Sequence, residues 1–214
     1  MDSVKKKLLK EITCKIRSGL ASEAFSEDIL EKIKKELSTA GYKYDTSYPS
    51  ISFPIGSPNK IPTGPGSLAE ALLWKLNRWK SYIEFIKYYK KITNEPDNSG
   101  FINFQFANHL ADHSNNPIVD QHTLRCYWAI NFNLNEHTNN ALKSFLVKSN
   151  GEWKESGSGK SGKLCCSEYV KFVAGIKSKY SVELDSADKL FMPLGSAIKE
   201  QFTNYSDFYE AFLE

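Results

Sequence analysis

Residues 117–125 read Pro-Ile-Val-Asp-Gln-His-Thr-Leu-Arg, and this stretch decides what the chain folds into. Pro117 has no backbone N–H to lose and a φ already set for a helix, so it suits a helix start. The apolar spacing that follows predicts a helix over residues 118–132. Asp120 falls in the first turn of that helix. There a side-chain oxygen can accept from amides that have no intrahelical partner, and a negative charge meets the positive end of the helix dipole.

Outward from this stretch the chain stays helical in both directions. Upstream, Val4, Leu8, Leu9, Ile12 and Ile16 repeat at helical spacing over residues 3–18. A second helix is expected over 26–40, with Ser26 as N-cap and Gly41 at its end. Residues 42–66 change character: Pro49, Pro54, Pro58, Pro62 and Pro65 alternate with Gly56, Gly64 and Gly66, which reads as a long loop. After the N-cap Ser67, one continuous helix is expected through Leu68, Leu72, Leu73, Leu76, Trp79, Ile83, Ile86 and Tyr89, to about residue 92. A turn over 94–100 leads into a short helix, 101–113, with Ile102, Phe104, Phe106 and Leu110 on one side. Downstream come a helix over 139–147, an exposed Gly/Ser/Lys-rich loop over 150–163, and two closing helices over 164–180 and 184–202. No strand pattern and no internal repeat stands out. The expected class is all-α, one domain over residues 1–214.

Composition narrows the function. At 41% hydrophobic and 13% aromatic, the chain has enough apolar material for a packed core. A net charge of +3 neither demands nor forbids a nucleic-acid partner, because a local basic face suffices. Cys14, Cys126, Cys165 and Cys166 form no Cys-x-x-Cys pair, so zinc and iron–sulfur sites are not expected, and the thiols read as reduced. Residues 1–10 are charged and no apolar run reaches membrane-spanning length. The expected setting is cytoplasmic, with no membrane partner.

Ser156-Gly157-Ser158-Gly159-Lys160-Ser161 imitates the end of a phosphate-binding P-loop. A true P-loop needs a glycine where Lys154 stands, a strand before it and a helix directly after it. Gly162 is expected to interrupt any such helix, so a nucleotide-driven enzyme is the weaker rival. The loop is read as flexible and basic, with Lys160 and Lys163 able to touch a nucleic-acid backbone.

Residues 117–125, with the turn-and-helix unit before them, resemble the segment that follows the hairpin in helix-hairpin-helix DNA glycosylases such as endonuclease III, adenine glycosylase and 8-oxoguanine glycosylase. There the pattern runs Pro-aliphatic-aliphatic-Asp-x-His/Asn, with an arginine nearby. The likeness covers about residues 74–130. Asn77-Arg78-Trp79-Lys80, and a weaker match over 168–195 ending in Leu194-Gly195, point to a divergent branch of uncharacterised relatives.

The resemblance implies a two-lobed helical fold and a monofunctional glycosylase, which hydrolyses the N-glycosidic bond of a flipped base in double-stranded DNA, in repair or in defence against modified phage DNA. Asp120 becomes the catalytic carboxylate, stabilising the oxocarbenium-like sugar and directing water. Asn98, Ser99 and Gly100 stand where the family's hairpin binds phosphate, with a monovalent cation there and no other cofactor. Only one of the hairpin's two glycines is present, and Ile102 stands near the position of the lysine nucleophile of strand-cutting members. Gln121, His122, Arg125, Lys160 and Lys163 join the DNA-binding set, and Trp79, Lys80 and Tyr82 the base pocket, with Trp74, Tyr88, Tyr89 and Trp128 as further aromatic candidates. A monomer is expected. Each role has a plain competitor: Asp120 as a helix cap, His122 as a packing residue, Arg125 as the partner of an internal acid, and the aromatics as core. The same fold kept for binding DNA without catalysis is the alternative function.

Overall fold

The structure is a computed structural model that describes residues 2–44, 61–97, 99–131, 133–155 and 159–214. Among these residues it is all-helical, as the sequence indicates, with ten helices. They are α1 (Asp2–Ala21), α2 (Glu27–Thr39), α3 (Leu68–Lys75), α4 (Trp79–Tyr89), α5 (Phe101–Ala111), α6 (Gln121–Ile130), α7 (Glu136–Leu146), α8 (Gly162–Tyr180), α9 (Leu184–Gln201) and α10 (Tyr205–Phe212). Extended pairing is limited to two isolated bridges, Val147 with Trp153 and Glu152 with Asn204. No described helix is long and apolar enough to cross a membrane.

Several helix ends follow directly from local chemistry. The Ser26 hydroxyl accepts from the Ile29 amide, and Ser67 from the Glu70 amide. Gly41, at φ +93°, closes α2: its amide donates to Ser38 O and that of Tyr42 to Leu37 O, the paired bonds of a Schellman ending. The single helix expected over residues 67–92 is in fact two. Asn77 adopts φ +56°, its amide donates to Trp74 O, and that of Arg78 donates to Leu73 O at 2.8 Å. The same Schellman geometry therefore ends α3, with asparagine in the place usually taken by glycine.

Two further expectations change. The chain does not finish with α9, because α10 follows behind an Asn204 cap. The 150–163 loop is not wholly exposed: Trp153 is buried and donates from its indole N–H to Phe202 O at 2.6 Å. Nor does Gly162 interrupt a helix there; α8 begins on it.

α6 lies at the centre. Every residue from Thr123 to Ile130 is buried, so the helix is enclosed nearly all round, with Thr123 and Arg125 as buried polar residues. It packs against α1, α7, α8 and most extensively α9. Gly195 makes that last approach possible. A β-carbon on it would lie 1.8 Å from the carbonyl oxygen of His122. Trp128, a base-pocket candidate by sequence, is instead fully buried core, its N–H on Asn139 Oδ1 and its ring 5.1 Å from that of Phe208. Arg17 of α1 donates to the backbone oxygens of Ala129 and Phe212, clamping α6 to α10. Cys126, Cys165 and Cys166 are buried free thiols, and Cys14 is exposed. α3, α4 and α5 pack successively on one another, and α5 joins the rest through α8.

Candidate active site on helix α6

Asp120 is the N-cap of α6. Its Oδ1 accepts from the amides of His122 (2.7 Å) and Thr123 (2.8 Å). The Thr123 hydroxyl in turn lies 2.9 Å from the Asp120 amide, so the capping box is complete. The carboxylate is half-buried and held at a fixed angle by the backbone. The segment leading into it is pinned as well. Ile118 and Val119 are buried, and the Ile118 amide donates to Asp188 Oδ2 of α9 at 3.0 Å.

Beneath this turn lies a polar cluster in an apolar setting. Asp188 is 2% exposed, and its Oδ1 finds no hydrogen-bond partner. Burial holds its carboxyl well above the usual carboxylate range, the Ile118 amide opposes, and the charges of Asp185 and Asp120 add to the rise. Tyr169 of α8 is fully buried; its hydroxyl is raised by burial first, then by Asp188, Cys126 and Asp120. The Asp120 charge adds to both upward shifts, favouring the protonated forms of the Asp188 carboxyl and the Tyr169 phenol.

This gives a pH dependence with a definite sign. Below the ordinary carboxylate pKa, Asp188 is protonated in both folded and unfolded chains, and its contribution to stability is fully present. As pH rises, the unfolded chain ionises first, and stability is lost until the raised folded pKa is passed. Asp188→Asn keeps an oxygen for Ile118 and has no charge to bury. Measured by urea unfolding, wild-type stability is expected to fall relative to Asp188→Asn as pH is raised from the ordinary carboxylate range, about 4, into the neutral range. A constant gap across that range would mean that Asp188 ionises as freely inside the fold as outside it.

His122 and Arg125 face inward. The His122 ring is half-buried, with its pKa lowered by burial first and the Asp120 charge opposing. Its Nδ1 lies 3.4 Å from an Arg125 guanidinium nitrogen. Arg125 is completely buried: the guanidinium sits 5.1 Å from the Trp153 ring centroid, donates to Lys154 O at 3.4 Å, and leaves its Nε without an acceptor. Burial pulls it down to about 10. The expected phosphate contact is corrected, since Arg125 has no surface to offer DNA. No ion pair within 4.0 Å among the described residues includes Arg125, and the charges of Asp120 and Glu155 act on it only from further away, opposing the fall. It is a buried cation on an indole face.

The hairpin candidates fall elsewhere but close to other predicted residues. Asn98 lies outside the described residues. Ser99 and Gly100 are exposed, and Gly100, at φ +87°, is the N-cap of α5 with no side-chain cap. The connection from α4 spans residues 90–100, longer than a tight hairpin turn. Phe101, the first residue of α5, meets Gly162, the first of α8; a β-carbon on Gly162 would lie 2.7 Å from the Phe101 ring. The N-cap of α8, Ser161, likewise makes no side-chain capping bond, although the Gly162 amide donates to Gly159 O at 3.2 Å, and neither helix has an acid in its first turn. Lys160 is exposed, while Lys163 pairs with Glu95 at 3.2 Å. Structure therefore gathers Ser99, Gly100, Lys160 and Lys163 at one corner where two helix N-termini converge. Tyr169, beside Asp120, is seven residues along α8 from Gly162, about 10 Å at the helical rise. Gln121 opens α6 next to Asp120 and is partly exposed.

The base-pocket candidates do not join this group. Trp79 and Tyr82 contact each other at 5.5 Å, and the Tyr82 hydroxyl donates to Glu70 Oε1 of α3 at 2.7 Å. Lys80 is exposed. Among the described residues no hydrogen bond, ion pair or ring contact links these three to the Asp120 cluster. Tyr88 is buried against Phe104. The P-loop imitation has its helix after all, but isolated bridges precede it instead of a strand, and the Lys154 ammonium is engaged on Ser144 O. No described group of three or more His, Cys, Asp and Glu side chains is placed to hold a metal ion. Compared with protein-family models, with curated proteins and with solved structures, the chain shows no match.

Proposed function

We propose that this protein is a monofunctional DNA glycosylase of the two-lobed helix-hairpin-helix type, with α4, the 90–100 turn and α5 in the place of the hairpin unit. The observation that carries the reading is the placement of Asp120: a carboxylate fixed by two backbone amides, on a turn whose Ile118 amide is anchored to Asp188 of α9. Helix N-termini with free amides bind phosphate. A rigid carboxylate beside the sugar stabilises the cation that forms as the glycosidic bond breaks and orients the attacking water. Ile102 offers no amine for a Schiff base, so water is the nucleophile and the strand survives. Because Asp120 already serves as a cap, a non-catalytic DNA-binding domain is the second reading.

One experiment separates the two. Duplexes carrying a range of modified bases are incubated with the protein and released bases are identified by mass spectrometry. The expected result is a free base and an abasic strand that breaks only on alkali, with no covalent adduct trapped by borohydride. DNA binding with no base released from any substrate favours the second reading; a trapped adduct shows that an amine is used.

A further inference from the structure

The corner between α3 and α4 carries an exposed apolar surface that the site above does not use. α3 buries none of its residues. Trp74 is 61% exposed and Leu76 58%, although residues of this size usually find cover. The corner is not loose. The Schellman bonds at Asn77 and Arg78 fix its backbone, and the Tyr82–Glu70 hydrogen bond ties α4 to α3.

The charges around it have one sign. Between Glu70 and Glu84 the only charged residues are Lys75, Arg78 and Lys80. All three are exposed, and none makes an ion pair among the described residues. The flanking acids are already engaged: Glu70 accepts from Tyr82 and from the Gly66 amide, and Glu84 pairs with Lys87 at 2.8 Å. An indole and an isobutyl group held between three uncompensated cations match a chain that alternates flat bases with phosphates. Paired bases in a duplex hide their faces; unpaired ones present them.

We infer that the α3–α4 corner binds single-stranded DNA, with Trp74 stacking on an unpaired base, Leu76 making apolar contact beside it, and Lys75, Arg78 and Lys80 holding the adjacent phosphates. This inference takes DNA as the partner from the glycosylase reading and adds that the substrate is engaged where it is unpaired.

The test is fluorescence anisotropy of the full chain with a labelled oligothymidine strand, and with that strand annealed to its complement. Wild type is expected to prefer the single strand. The double substitution Trp74→Ala, Leu76→Ala should weaken single-strand binding about tenfold or more while leaving duplex binding within about twofold. Lys75→Ala, Arg78→Ala, Lys80→Ala should lower the slope of log affinity against log salt by about 2 for the single strand. All substituted positions are exposed, and an unchanged thermal midpoint confirms each fold. Equal binding of both DNAs by wild type, or a preference that survives loss of Trp74 and Leu76, overturns the inference. So does sedimentation showing that wild type self-associates through these residues. The two claims fail separately: single-strand preference without base release sinks only the glycosylase reading, and base release that ignores the corner sinks only this one.

Discussion

Gly195→Ala is expected to lower the thermal midpoint by roughly 10 °C, which corresponds to about 3 kcal/mol for a chain of this size. The added methyl would lie 1.8 Å from the His122 carbonyl oxygen and 2.5 Å from its carbonyl carbon. Those are backbone atoms of the helix that α9 covers, so no rotamer change relieves the clash, and α6 and α9 must separate. That separation strips packing from the most extensive helix pair in the fold. Gly175→Ala is the control. It lies within α8 with nothing within 4 Å of its would-be β-carbon, so relief of glycine's entropy cost should stabilise by about 0.5–1 kcal/mol. Differential scanning calorimetry on both variants decides the matter; equal midpoints would show that α6 and α9 do not approach as described.

Asp120→Asn is expected to reduce base release by about a hundredfold or more while changing stability by less than about 0.5 kcal/mol. The contrast rests on the capping box. Asparagine caps helices about as well as aspartate, and its amide oxygen can keep the bonds from His122 and Thr123. Only the charge is lost. Asp120→Ala loses both and should cost about 1 kcal/mol in addition. Single-turnover release with urea unfolding on the same preparations separates the roles. An asparagine variant that turns over at the parental rate would leave Asp120 with the helix and nothing else.

The helix expected from residue 118 begins only at Gln121, with Asp120 as its extended N-cap, but the starts at Ser26 and Ser67 were legible because their chemistry is local. The break at Asn77 was not, because Leu72, Leu76, Trp79 and Ile83 keep helical spacing across it while one left-handed asparagine reverses the chain. Trp153 disappeared in a polar loop because composition averages away a single anchor. Arg125 misled for another reason. A helix buried on every side has no polar face to show which way a charged residue points. Asp188 did leave a signal: it stands within the apolar stripe Leu184, Ala187, Asp188, Phe191, where a carboxyl has no solvent to face. α10 had a readable cap and stripe too, Asn204 with Tyr205, Phe208 and Phe212.

The distribution of the cysteines turns the chain into its own clock for opening. A thiol reagent in excess meets one accessible sulfur in the native protein, Cys14; the others must wait for an opening. Cys126 reports on α6, and Cys165 and Cys166 report on the first turn of α8, beside the corner where Phe101 meets Gly162. If their labelling rates coincide, α6 and α8 open as one cooperative unit. If Cys165 and Cys166 label faster than Cys126, the α5–α8 corner opens ahead of the core as a separate unit, with an opening free energy of its own.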